Sequence, residues 1–270
     1  MYSDIQPHRI HENLYFIGSS KVSVHLLDTE DGLVLIDTGY PEMLEQILCS
    51  MDVLGFSPKN ICALFHTHGH IDHIGCTQRL KALSGAKTYI SRMDNAIVDG
   101  TLDLSWSREL GYGPLSPTFD CDVLVEDGDV FTFGKTSLRC LLTPGHTDGV
   151  LSFFITLPDG TVAAMHGGGG MNTMNREFLT AYGRPFTCRD NFRAGLHRLA
   201  AEKVDYVLGD HPEQTGVTEK LKKLQNGESV QDNTEWQQFL LMLEKRLDTM
   251  IAEEARSAQR VLNTDTEESS

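Results

Sequence analysis

Between residues 61 and 75 an apolar run, Ile-Cys-Ala-Leu-Phe, gives way to His66-Thr-His68-Gly-His70-Ile-Asp72-His73-Ile-Gly, with four histidines inside eight positions. No other segment restricts the fold as strongly. The apolar run reads as a buried strand, and the polar stretch that follows must leave the sheet at the strand's end. On extended backbone, side chains two apart share a face, so His68 and His70 can converge on one metal ion. Asp72 and His73 lie one turn further on and can face a second. A merely solvated histidine-rich loop does not account for an Asp in this register after a buried strand.

The flanking sequence alternates strands and helices. Strands are expected at 13–17, 21–27 and 32–36, a helix at 41–55, and a strand at 61–65, which together make a βαβ-like unit. A helix at 78–83 and a strand at 87–90 follow, and then residues 91–121, rich in Gly, Pro and Ser, read as irregular. Strand signals return at 130–133, 137–142, 151–156 and 161–165, with Pro158-Asp-Gly as the turn between the last two. Residues 171–190 read as a second irregular stretch, 192–202 as an amphipathic helix, 204–208 as an apolar strand and 218–224 as a short helix. Both halves mix strands with helices, so the expected fold is α/β (α+β), two sheets packed face to face under outer helices. From Trp236 onward, Phe239, Leu240, Leu243, Leu247, Met250 and Ile251 fall on one helical stripe. The expected organisation is a core domain over 1–217, a helical extension over 218–262 packed on it or against a second copy of the chain, and a flexible tail over 263–270.

His68-Gly-His-Ile-Asp-His73 resembles the H-x-H-x-D-H signature of the metallo-β-lactamase superfamily. Leu35-Ile-Asp-Thr-Gly39, Thr143-Pro-Gly-His-Thr147 and Gly209-Asp-His-Pro212 resemble that family's other motifs in order and spacing, over about residues 13–215. The resemblance implies a four-layer αββα sandwich. It also implies that His68, His70 and His146 hold one zinc, and Asp72, His73 and His211 another, with Asp37 supporting a ligand imidazole. His66 shares the strand face of His68 and is expected to support or pack. Many relatives carry a bridging Asp at the end of the strand after the third histidine motif. Here that strand ends Ala163-Ala-Met-His166 and runs into four glycines, so this carboxylate is missing. The third subclass of metallo-β-lactamases lacks it too and is the branch most resembled. His166 is left with three roles: approaching the second metal, meeting substrate, or filling space behind the ligands.

Zinc lowers the pKa of a bound water to about 7. The expected reaction is therefore hydrolysis of a small-molecule ester, lactone, thioester or amide, β-lactams included, with Asp72 as both ligand and proton handler. Iron or manganese suits an imidazole-rich set less well than zinc. The alternatives are a mononuclear iron oxygenase and a non-catalytic metal-binding or interaction protein. Arg176, Arg184 and Arg189 are candidates to clamp a substrate carboxylate, and Trp106, Tyr112 and Phe178 to form an apolar wall or a local loop core. With 23 basic and 38 acidic residues, the net charge of −15 opposes a nucleic-acid partner. No apolar stretch approaches the 18 or so residues that span a bilayer, so no membrane partner is expected. The opening residues lack a secretory pattern, and the six cysteines include no C-x-x-C pair. A cytoplasmic enzyme with reduced thiols is expected.

Overall fold

The structure is a computed structural model that describes the backbone of residues 5–267 and the side chains of residues 5–260. Seven strands form the first sheet in sequence order: β1 (His8–His11), β2 (Leu14–Phe16), β3 (His25–Thr29), β4 (Gly32–Ile36), β5 (Ile61–Phe65), β6 (Lys87–Ser91) and β7 (Val123–Val125). Pairing is antiparallel from β1 to β4 and parallel from β4 to β7. The second sheet contains β8 (Val130–Phe133), β9 (Thr136–Leu142), β10 (Leu151–Thr156), β11 (Val162–His166) and β12 (Tyr206–Gly209), in the order β12-β11-β10-β9-β8. Only β11 and β12 are parallel there.

Period-two alternation explains why several strands read as unbroken apolar runs. Along β10, Leu151, Phe153 and Ile155 point into the core between the sheets, while Phe154 points outward to a second core. In β4, Val34 and Ile36 face the first core, and Leu33 and Leu35 face a third. A strand covered on both faces has no polar side to display. The third core is closed by α1 (Leu44–Val53), with Ile47 and Met51, and by the helix Thr77–Ser84, with Leu80. Outside the second sheet lie the helices Cys188–Leu199 and Glu235–Glu267, so the layers run helix, sheet, sheet, helix.

The second core takes up the stripe of the last helix: Trp236, Phe239, Leu240, Leu243 and Leu247 are buried against Phe154, Phe192 and Leu199. Trp236 is 1% exposed, and its indole N–H donates to the Leu199 carbonyl at 3.1 Å. Trp236→Ala is expected to cost about 3–5 kcal/mol through the cavity and the orphaned carbonyl. A urea midpoint unchanged from wild type would show that the helix docks without contributing to stability.

Several boundaries differ from the sequence expectation. The strand expected at 21–27 starts only at His25, because residues 17–24 turn back on themselves through Ile17–Val24 and Ser19–Val22 backbone bonds. Residues 171–190 are largely helical. They contain a 3-10 turn, Asn172–Met174, the helix Arg176–Ala181 capped by the Asn175 side chain, and the start of Cys188–Leu199. The stretch 91–121 includes one helical turn, Asn95–Val98. The last helix continues through 263–267, where a tail was expected, and 268–270 lie outside the described residues. No helix among the described residues is long and apolar enough to cross a membrane.

Candidate metal centre

Parallel β4 and β5 end level with each other, Ile36 beside Phe65, so the loops that leave them start in contact. The Asp37 N–H donates to the Phe65 carbonyl, and the Thr67 N–H donates back to Asp37 Oδ1, each at 2.8 Å. Asp37 has φ of +61°, an uncommon conformation for a residue other than Gly, and it aims the carboxylate across the strand ends. One turn of helix, Ile71–Ile74, then presents Asp72 and His73. β9 ends just before the loop that carries His146. There Gly145 has φ of +155°, and a Cβ at that position would sit 2.5 Å from the Phe192 Cβ, so the turn that delivers His146 needs glycine. β12 ends at Gly209 and hands over to Asp210 and His211.

Three nitrogens meet at the first cluster. His68 Nε2 and His146 Nε2 each lie 3.1 Å from His70 Nδ1. His68 Nδ1 donates to the Gly167 carbonyl at 2.7 Å, and His146 Nδ1 to the Gly170 carbonyl at 2.8 Å. In a neutral ring that leaves both Nε2 atoms as bare acceptors. Burial, reinforced by neighbouring imidazoles, holds the pKa values of His68 and His70 well below their ordinary value, and burial pushes His146 down to about 4. At neutral pH His70 Nδ1 therefore has at most one proton for two facing acceptor nitrogens, and one of these is left buried without a donor. A cation removes that deficit. The spacing is close to the edge of a tetrahedron with metal–nitrogen bonds of about 2.0–2.1 Å, roughly 3.3–3.4 Å.

The second cluster combines Asp72, His73 and His211. Asp72 Oδ2 lies 3.4 Å from His73 Nε2 and 3.6 Å from His211 Nε2. The inward nitrogens are again fixed from behind: His73 Nδ1 donates to Asp37 Oδ2 at 2.8 Å, and His211 Nδ1 to the Lys21 carbonyl at 2.7 Å. Burial opposes protonation of His73, but Asp72 and Asp37 outweigh it and raise its pKa to about 10. In the metal-free protein this imidazole holds a proton that a cation would displace.

Other expected site residues fall elsewhere. His66 is buried behind the loop, with Nδ1 2.9 Å from the Tyr89 carbonyl and Nε2 2.8 Å from Thr77 Oγ1. His166 joins neither cluster: it packs against Phe192, its Nδ1 accepts from the Gly168 N–H, and its Nε2 is buried without a hydrogen-bond partner among the described residues. Arg189 is committed to Glu254 and the Met174 carbonyl, Arg184 pairs with Asp148, and Arg176 lies 3.9 Å from Glu254. Trp106, with its ring centre 6.0 Å from that of His70, packs on Phe178, which stacks on Tyr182. Tyr112 lies outside that wall and donates to Glu42.

Two carboxylates beside the site were not singled out from the sequence. Asp210 is buried, with one carboxylate oxygen inside a group formed with His68 and His73. Burial alone would raise its pKa, but His211 and His73 hold it below the ordinary carboxylate value. The sequence does place Asp210 next to His211, which was the available signal. Asp94 joins the two ligand loops, since Oδ2 accepts from the Gly69 N–H at 2.9 Å and from Thr147 Oγ1 at 2.7 Å. Nothing in the pattern of the stretch 91–121 marks it.

Burial raises the Asp94 pKa from 3.8 to about 6. Its ionisation therefore opposes folding: the penalty is full above about pH 6 and disappears as the pH falls below about 4. Two units correspond to about 3 kcal/mol. Metal-free wild type is expected to gain that much relative to Asp94→Asn between pH 7 and pH 4. Parallel stability curves for the two proteins in denaturant titrations would contradict this.

Comparison with known proteins places the fold. The uncharacterized protein YobT of Bacillus subtilis is 29% identical over 153 residues, 56% of this chain and 63% of that protein. A hydroxyacylglutathione hydrolase of Maricaulis maris is 32% identical over 111 residues, 41% of this chain and 34% of that protein. The chain thus matches less than two thirds of the length of these curated relatives. Among solved structures, BJP-1, a subclass B3 metallo-beta-lactamase of Bradyrhizobium japonicum, superposes with a TM-score of 0.83 at 27% identity, covering 95% of this chain and 97% of that one. A Cronobacter sakazakii metallo-beta-lactamase with a HARLDQ motif gives 0.81 at 26% identity, covering 94% and 96%. The profile of the metallo-beta-lactamase superfamily matches residues 17–208, most of the sandwich, and the chain belongs to that superfamily.

Proposed function

We propose that this chain is a dinuclear zinc hydrolase, with His68, His70 and His146 holding one ion and Asp72, His73 and His211 the other. Its substrate class is a small-molecule ester, lactone, thioester or amide. The observation that carries this reading is the meeting of three neutral imidazole nitrogens, 3.1 Å apart across His70, with too few protons to satisfy them. Relatives named as hydrolases and β-lactamases support the reaction class. Bound zinc supplies Lewis acidity toward a carbonyl and makes water available as hydroxide near neutral pH.

The protein's own groups supply the rest. The Asp72 side chain is 12% exposed, so its carboxylate keeps contact with the cleft while facing His73 and His211. It can take the proton of the attacking water and pass it to the leaving group. Trp106 and Phe178 stand beside His70 and shield one side from water. A recess next to His70 and His146, lined by Ile97, Leu102, Leu104 and Leu179, accepts the apolar part of a substrate. All six cysteines are free thiols, which supports a reducing, cytoplasmic setting.

Metal analysis of the purified chain, together with turnover of a panel of esters, lactones, thioesters and β-lactams, tests the proposal. Two zinc ions per chain with hydrolysis of at least one class is the expected result. One iron ion with oxygen uptake overturns it. Chelation is expected to stop hydrolysis and lower the melting temperature, because the ligand's binding free energy to the folded state is lost. Zinc should restore both.

A further inference from the structure

Asp210 stands between the two ligand sets, and we infer that its carboxylate bridges the two metals. The inference rests on the dinuclear reading above. One Asp210 oxygen, one His68 nitrogen and one His73 nitrogen lie within 4.8 Å of one another. His68 belongs to the first set and His73 to the second, so this carboxylate reaches one ligand of each.

The residue is 1% exposed, yet among the described residues its carboxylate accepts only from the Gly169 N–H at 3.2 Å and its neighbour's His211 N–H at 3.1 Å. A carboxylate offers about four acceptor positions, and a buried one is costly when they go unused. Charge makes the same demand from the other side. Two dications held by five imidazoles and Asp72 leave a net charge of +3 in a buried site, and a second carboxylate between them lowers it to +2.

The fold explains why the group comes from β12. β11 and β12 run parallel, with His166 level with Gly209, so residues 167 and 210 leave the sheet side by side. The β11 extension has no room for a side chain: a Cβ on Gly167 would sit 2.1 Å from the Leu151 carbonyl oxygen, and one on Gly168 3.0 Å from the His146 Cβ. Leu151, Val150 and His146 already occupy those positions, and the glycine run meets the β12 carboxylate through the Gly169 N–H instead. The carboxylate absent from the end of β11 is thus replaced from the neighbouring strand.

The metal-free wild type, Asp210→Asn and Asp210→Ser are to be titrated with zinc by calorimetry and with cobalt(II) by absorption and paramagnetic resonance, with circular dichroism confirming the fold. Wild type is expected to bind two ions that couple magnetically. The variants should keep the first ion, bind the second on the order of 100-fold more weakly, and lose the coupling. Variants that bind two coupled ions with wild-type affinity overturn the bridge while leaving the dinuclear reading intact. A wild type that binds a single ion overturns both. A crystal structure of the zinc-loaded wild type decides independently of any substitution: Asp210 oxygens at about 2.0–2.2 Å from both ions support the bridge, and a gap beyond 3 Å to either ion refutes it.

Discussion

His146→Ala is expected to lower turnover by at least about 10³-fold, equivalent to roughly 4 kcal/mol of transition-state stabilisation. The lost imidazole is one of three nitrogens in the first cluster, and its Nε2 sits 3.1 Å from His70 Nδ1. Substituting residues that only support a ligand typically costs 10–100-fold in metal affinity, so losing a ligand should cost more. The fold should survive. His146 lies on a loop after β9; the Thr173 hydroxyl keeps its bond to the backbone carbonyl of residue 146 at 2.5 Å, and the Gly170 carbonyl belongs to a residue only half-buried. Metal content by emission spectroscopy should fall by about one ion per chain alongside the rate. A variant with full activity and two ions would mean that the centre lies elsewhere.

What the sequence revealed about this site follows from how local its parts are. His68, His70, Asp72 and His73 sit within six residues, and their convergence follows from one strand ending in one helical turn. Asp37 was visible because a Leu-Ile-Asp-Thr-Gly strand end has turn chemistry of its own. Asp94 and Asp210 were not singled out, because each gains its role only from tertiary register. Asp210 matters because β11 lies parallel to β12 with His166 level with Gly209, a pairing that no periodicity reports.

His166 shows the opposite case, a residue whose direction was legible. Along β11, Ala163 and Met165 face the core between the sheets while Ala164 faces the outer helices. Alternation then sends His166 to the face that meets Phe192. The helix Arg176–Ala181 also left a trace, since Asn175 three residues before Phe178 is an ordinary cap signal. The surrounding Gly, Pro and Arg residues hid it by breaking the apolar period.

Asp37 separates the stability of this centre from its chemistry, and two substitutions are expected to have opposite profiles. The buried carboxylate accepts from the Thr67 N–H at 2.8 Å, from Thr67 Oγ1 at 2.9 Å and from His73 Nδ1 at 2.8 Å. Asp37→Ala strands the Thr67 amide and the His73 ring proton in the interior, at about 1–3 kcal/mol each. It also forces a Cβ residue with no polar side chain to keep φ at +61°, which adds about 1 kcal/mol. The total, about 3–7 kcal/mol, should appear as a large fall in the denaturation midpoint. Asp37→Asn keeps the shape, tolerates that φ, and can still accept from Thr67, so its stability loss should stay near 1 kcal/mol. Its amide, however, presents N–H to His73 Nδ1 in place of an acceptor. The neutral imidazole then carries its proton on Nε2, the atom 3.4 Å from Asp72 Oδ2 and turned toward the second ion. That tautomer has no lone pair to give. Zinc titration of Asp37→Asn should therefore show the second ion bound about 10–100-fold more weakly in a protein that melts almost as wild type does. Wild-type affinity for two ions in this variant would mean that His73 is not a ligand, and the second cluster would have to be assigned again without it.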